Sequence, residues 1–206
     1  MYQPLHHRED RIEVQHALMK SHPLGLLISS GGGLKANSIP FLLREQVAPF
    51  GRLEAHMARA NDQWRDVDDQ PVLIVFQGPQ AYISPAFYET KRETGKVVPT
   101  WNYIIVQVRG VAKIQDDVTW LDRQVEALTM RHEAERENPW AVEDAPRAYI
   151  ESQLRGIVGL EIEITAIEGK WKVSQNRPEA DRRGVAEGLS QSNSAMADLV
   201  KQYGKL

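Results

Sequence analysis

The chain has no cysteine. That single absence removes disulfides, thiolate nucleophiles, iron–sulfur clusters and cysteine-ligated zinc, and it agrees with a reducing compartment. Charge of one dominant sign is also missing. The 25 Lys and Arg residues stand against 28 Asp and Glu, a formal net charge of −3, so the whole-chain basic footprint of a nucleic-acid binder is lacking. A direct DNA contact would need a local basic patch, and net charge gives it no support. Long hydrophobic runs are absent as well, since no stretch approaches the ~20 apolar residues that cross a bilayer. Residues 1–10 are polar and His-rich, without the apolar segment of a signal peptide. No membrane association is expected, and a soluble cytoplasmic protein is.

Several catalytic signatures are missing too. Gly31-Gly32-Gly33 lacks the Gly-Lys-Ser/Thr ending of a P-loop and the spacing of a dinucleotide fingerprint, so a hairpin turn is expected there. The six histidines include no His-Glu-x-x-His pair on a helix, and no metal site is expected. Gly-x-Ser-x-Gly is absent, which argues against a serine hydrolase, although a triad is recognised only by geometry.

What is present is an ordinary globular balance. With 206 residues, 42% of them hydrophobic and 26% charged, the chain can bury a substantial core. Helical spacing of Val14, Ala17 and Leu18 predicts a helix over residues 10–21, stopped by Pro23. Strands are expected over residues 24–29, 34–43 and 52–57. The run Val72-Leu73-Ile74-Val75-Phe76 suits a strand buried on both faces, as in a closed barrel. Gly78-Pro79 reads as a turn before a further extended stretch at residues 81–84.

The longest strand expected covers residues 103–114, with Ile104, Val106, Val108, Ala112 and Ile114 on one face and Gln107, Arg109 and Lys113 on the other. Val118, Leu121, Val125 and Leu128 predict a helix running from Asp116 or Asp117 to Asn138. A second helix is expected over residues 144–156, and Leu160, Ile162 and Ile164 mark another strand. Pro178 opens a helix, and a final helical stretch over residues 193–203, poor in large apolar side chains, is expected to fray. With no repeat and no long linker, residues 1–206 read as one mainly β domain with flanking helices, helices inserted at about 116–156 and a C-terminal helical tail.

Three segments have the residue types of a binding site. His56-Met57-Ala58-Arg59-Ala60-Asn61 displays a guanidinium beside amide donors, the equipment for a phosphate dianion; a solvated strand end with a surface arginine explains it as well. Thr100-Trp101-Asn102-Tyr103 mixes ring faces with fixed hydrogen-bonding groups, as a planar heteroaromatic ligand requires; a core tryptophan is the equal alternative. The segment 170–177, Lys-Trp-Lys-Val-Ser-Gln-Asn-Arg, concentrates three cations around one indole. It could be a solvated turn, or touch a ligand phosphate or a nucleic-acid backbone.

Taken in order, these segments resemble one family. The opening Met1-Tyr2-Gln3-Pro4, the stretch Ala36-Asn37-Ser38-Ile39-Pro40, the block from His56 to Asn61 followed by Gln63-Trp64, Val75-Phe76-Gln77-Gly78-Pro79, Ala81-Tyr82-Ile83-Ser84-Pro85, residues 98–103 and residues 170–178 all match the PaiB family of FMN-binding negative transcriptional regulators. The likeness extends to about residue 190. It implies an FMN-binding split β-barrel, a homodimer with flavin sites near the interface, and a role in regulating gene expression. A flavin-dependent reductase or oxidase of a small molecule is the alternative. By that likeness Arg59 holds the FMN phosphate with His56, the Ala58 backbone and Asn61. Ala36, Asn37 and Ser38 border the flavin, and Thr100, Trp101 and Asn102 approach its ring or ribityl chain. Lys170, Lys172 and Gln175 are further contributors. The chain departs from the family pattern at Ser38 and Gln80, where His is common, and at Ala55, where Gly is usual.

Overall fold

The computed structural model describes residues 1–47 and 49–206. Eight strands and six α-helices are joined by short 3-10 turns: β1 (Arg8–Glu9), α1 (Ile12–Ser21), β2 (Leu24–Ser29), β3 (Lys35–Pro40), β4 (Leu42–Arg44), β5 (Arg52–Ala58), β6 (Gln70–Ile83), α2 (Glu89–Thr94), β7 (Thr100–Gln115), α3 (Val118–Glu133), α4 (Arg147–Leu154), β8 (Ile157–Lys172), α5 (Glu179–Leu189) and α6 (Ser194–Gly204). The strands form a mainly antiparallel sheet with the hydrogen-bonded order β3-β2-β6-β7-β8-β5-β4, and β1 pairs with β8. This order is an open path. Among the described residues no pairing joins β3 to β4.

The chain divides into two compact units. The first contains Met1–Leu18, Gln77–Val106 and Glu168–Leu206; the second contains Met19–Phe76 and Gln107–Ile167. In the second unit β5 runs antiparallel to β8 in the register Leu53↔Ile162, Ala55↔Leu160 and Met57↔Val158, and all six of these side chains are buried. The period-2 alternation read at residues 160, 162 and 164 is therefore the core face of β8. Trp120 and Leu121 of α3 gather with Val142, Ile150 and Leu154 into an apolar cluster of their own. Gly159 lets the Trp120 ring approach, since a Cβ there would stand 2.4 Å from Cζ3.

In the first unit α5 and α6 pack together. Met196, Ala197 and Val200 of α6 are buried, as are Val185, Ala186 and Leu189 of α5. The expected fraying of the last helix is thus overturned: small side chains allow a close approach, and Asn193 caps the helix by accepting from the Met196 N–H at 3.1 Å.

Other expectations are revised. Val72 to Phe76 alternates between buried and half-buried positions, so the run has one core face rather than two. Gly78-Pro79 makes no turn, because β6 continues through both. A Cβ on Gly78 would lie 2.6 Å from the Ile104 side chain and 2.7 Å from Leu18, so this glycine serves close packing. The register of β2 with β6 ends at Val75, which leaves Pro79 beyond that pairing, where a missing N–H costs no ladder bond to β2. The strand expected over residues 34–43 breaks at Phe41, whose N–H donates to the Pro23 carbonyl at 2.8 Å. Helix α3 stops at Glu133, five residues short of Asn138, and α2 was not expected at all.

Candidate functional site

In the second unit the segment named for phosphate binding lies at the end of β5. Arg59 emerges just beyond it, its N–H donating to the Gly156 carbonyl at 2.8 Å. The guanidinium is heavily engaged. Nε donates to Arg155 O at 3.1 Å, Nη2 to Ile157 O at 2.8 Å, and the two Nη groups grip both oxygens of Asp116. Hydrogen bonding with Asp116 raises the Arg59 pKa and lowers that of Asp116. His56 donates from Nδ1 to Gln124 Oε1 at 2.7 Å. Asn61 accepts from Gln63 N–H and opens the 3-10 helix Asp62–Asp66. Ala58 is exposed.

On β3, Ala36 and Ser38 share the exposed face, while Asn37 donates to Gln63 Oε1 at 2.8 Å. Gln63 is fully buried and also donates to Ser29 Oγ at 3.0 Å and Leu27 O at 3.3 Å. It links β2, β3 and the turn after β5. Sequence reasoning placed Gln63 in a family block without a role; nothing in its local sequence announces a buried amide with partners on two strands. The glycine loop is a hairpin, as expected. Gly32 faces the Asp66 carboxylate, which a Cβ would meet at 2.3 Å, and Lys35 holds that same carboxylate at 2.6 Å.

In the first unit the start of β7 and the end of β8 converge. Lys172 Nζ donates to Thr100 Oγ1 at 2.5 Å and to the Trp101 carbonyl. Asn102 is buried and donates to Ser174 Oγ at 2.9 Å. Gln175 folds back on its own turn, donating to Trp171 O and accepting from Val173 N–H at 2.8 Å. Lys170 is 7% exposed, and its Nζ lies 5.3 Å from the ring centres of both Tyr2 and Tyr103. Trp101 is 52% exposed and meets Tyr82 edge to face at 6.2 Å between centroids.

Behind these residues is a cavity of about 70 Å³, lined by His7, Thr100, Asn102, Lys172, Asn176 and Arg177 among others. Burial lowers the Lys172 pKa, as do the neighbouring Lys170 and Arg177 charges. Burial also lowers His7, to about 4, as do the nearby His6, Lys172 and Lys170 charges. Sequence reasoning did not select His7, Asn176 or Arg177 individually. His7 lies more than 90 positions from its neighbours on β7, so no local pattern could pair them.

The structure thus sorts the expected site residues by unit. Ala36, Asn37, Ser38, His56, Ala58, Arg59 and Asn61 belong to the second, and Thr100, Trp101, Asn102, Lys170, Lys172 and Gln175 to the first.

Residues 1–166 match the family described as "Putative FMN-binding domain". A protein of Bacillus subtilis named protease synthase and sporulation protein PAI 2 is 36% identical over 157 residues, covering 72% of each chain. An uncharacterized protein of Emericella nidulans is 32% identical, covering all of this chain and 98% of its own. Among solved structures, the flavocytochrome Anf3 of Azotobacter vinelandii superposes with a TM-score of 0.54 at 13% identity, over 80% of this chain and 68% of that one. The chain belongs to the PaiB-like FMN-binding family, and FMN is the cofactor that membership assigns. Its residues fit the group: cations and amide donors suit a phosphate, and the exposed Trp101 indole beside Tyr82 suits a planar ring. The matched region ends before Lys170.

Proposed function

We propose that this protein binds FMN as a redox-responsive regulator of gene expression, in the manner its PaiB likeness implies. The observation that carries the flavin part is the half-exposed Trp101 indole, set edge to face against Tyr82. An exposed aromatic face is what an isoalloxazine stacks against. Flavin, once bound, supplies electron transfer. Trp101 would lie against the ring, Thr100 and Asn102 would orient the ring or ribityl chain, and Ala36, Asn37 and Ser38 would border it.

Arg59 would hold the phosphate, with His56, the Ala58 backbone and Asn61 around it. In this role it exchanges the Asp116 carboxylate for the more highly charged phosphate, while the Arg155 and Ile157 carbonyls keep the guanidinium in place. Lys170, Lys172 and Gln175 would support the cofactor from the first unit. The sheet would be of split-barrel type. The protein would work as a cytoplasmic homodimer with its flavin near the interface; the exposed Val98, Tyr82 and Trp101 support that reading.

Titration of the purified protein with FMN and with riboflavin tests the cofactor. FMN should bind more tightly, and Arg59→Ala should erase much of that preference while leaving the fold intact. Equal loss of folding and binding would contradict the phosphate role. Gel-shift binding to the gene's own upstream DNA tests the regulatory part, and no saturable shift would count against direct repression.

A further inference from the structure

We infer that the small cavity at the end of β8 is a binding site for a phosphate-class oxyanion, received by Lys172, Arg177 and His7. Charge balance is the first reason. Lys170, Lys172 and Arg177 cluster here, and among the described residues none of them meets a carboxylate. Lys172 rests on a hydroxyl and a carbonyl, Lys170 on two ring faces, and Arg177 on the Tyr88 ring at 5.0 Å. Elsewhere in the same unit Arg11, Arg92, Arg183 and Lys201 each sit on a carboxylate. Partly desolvated like charges held together without a counter-charge repel one another, and an anion removes that repulsion.

The second reason is an unused donor. His7 is 6% exposed, lines the cavity, and its Nδ1 is buried with no hydrogen-bond partner. A buried polar atom without a partner costs free energy that a ligand oxygen would recover. With hydrogen on Nδ1 the ring donates to an oxyanion. Burial and the nearby cations lower both His7 and Lys172, the response expected of a pocket short of negative charge.

Size decides the ligand class. About 70 Å³ is far below the roughly 300–1,000 Å³ of pockets that enclose a whole drug-sized ligand, so the cavity takes a head group and not a ring system. The inference goes beyond the flavin reading, because it rests on the cavity's own charge whether or not flavin binds. The ligand is a phosphate-bearing one other than FMN, whose own phosphate Arg59 would hold; competition with FMN separates the two.

The test is calorimetric titration of the flavin-free protein with inorganic phosphate, for the wild type, Lys172→Met and Arg177→Gln. The wild type should bind one phosphate per chain, and each variant at least tenfold more weakly, while thermal melting shows that all three fold. Repeating the titration on protein pre-mixed with excess FMN separates the sources. Phosphate binding blocked by FMN would place the flavin's own phosphate here and overturn its assignment to Arg59; binding unaltered by FMN supports a separate phosphorylated ligand. Failure of FMN to bind leaves the flavin-free titration intact, so the two readings fail separately. Should a variant not fold, the wild-type His7 Nδ1 resonance, which must shift on phosphate addition, carries the decision. No saturable phosphate binding, affinity equal in wild type and folded variants, or an unmoved His7 signal would overturn the site.

Discussion

Arg59 and Asp116 form an ion pair whose side chains are 37% and 58% exposed. A pair this open to water is worth about 0–1 kcal/mol, so a phosphate displaces the carboxylate at little cost. Asp116→Asn should therefore tighten FMN binding several-fold, read by quenching of flavin fluorescence, while changing stability by less than about 1 kcal/mol. Weaker FMN binding in this variant would mean that Asp116 positions Arg59 rather than competing for it. His7 gives a prediction of opposite kind. Its folded pKa of about 4 lies below the ordinary 6.5, so the unfolded chain takes up the proton first as pH falls. Stability is retained above about 6.5 and lost progressively toward about 4, by up to about 3 kcal/mol. Urea unfolding at about pH 7.5 and about pH 5 should show a smaller loss for His7→Gln than for the wild type.

Among the elements, glycine contacts give the sharpest mutational test. A Cβ on Gly184 of α5 would lie 2.0 Å from the Phe87 carbonyl oxygen, whereas one on Gly33 meets nothing within 4 Å. Gly184→Ala should cost about 1–3 kcal/mol by overpacking. Gly33→Ala should cost about 1 kcal/mol through its φ of +99° alone. Thermal denaturation of the two variants orders them, and equal melting temperatures would contradict the α5 packing. Most elements were legible in the sequence because the core faces of β7, β8 and α3 repeat with the period of their own secondary structure. Gly78 misled because a glycine next to proline has the composition of a turn, while its reason here is contact with Ile104 and Leu18. The final helix misled for a related reason: Ala197 and Gly204 are buried without being large. Single residues of the site were legible as residue types. Their partners, Gln63, Gln124, Asp116 and His7, are distant in sequence and become visible only in three dimensions.

At the scale of the whole molecule, two discontinuous units divide the expected flavin residues between them. The homodimer reading predicts a solution mass of twice the 23.4 kDa chain by light scattering, and a monomer at working concentration would oppose it. FMN binding by this chain is the central claim, and one measurement bears on it directly. Purified protein mixed with excess FMN and passed through gel filtration should retain a flavin absorption spectrum that co-elutes with the protein at close to one FMN per chain. Folded protein emerging colourless, with all flavin in the small-molecule fraction, would contradict the account.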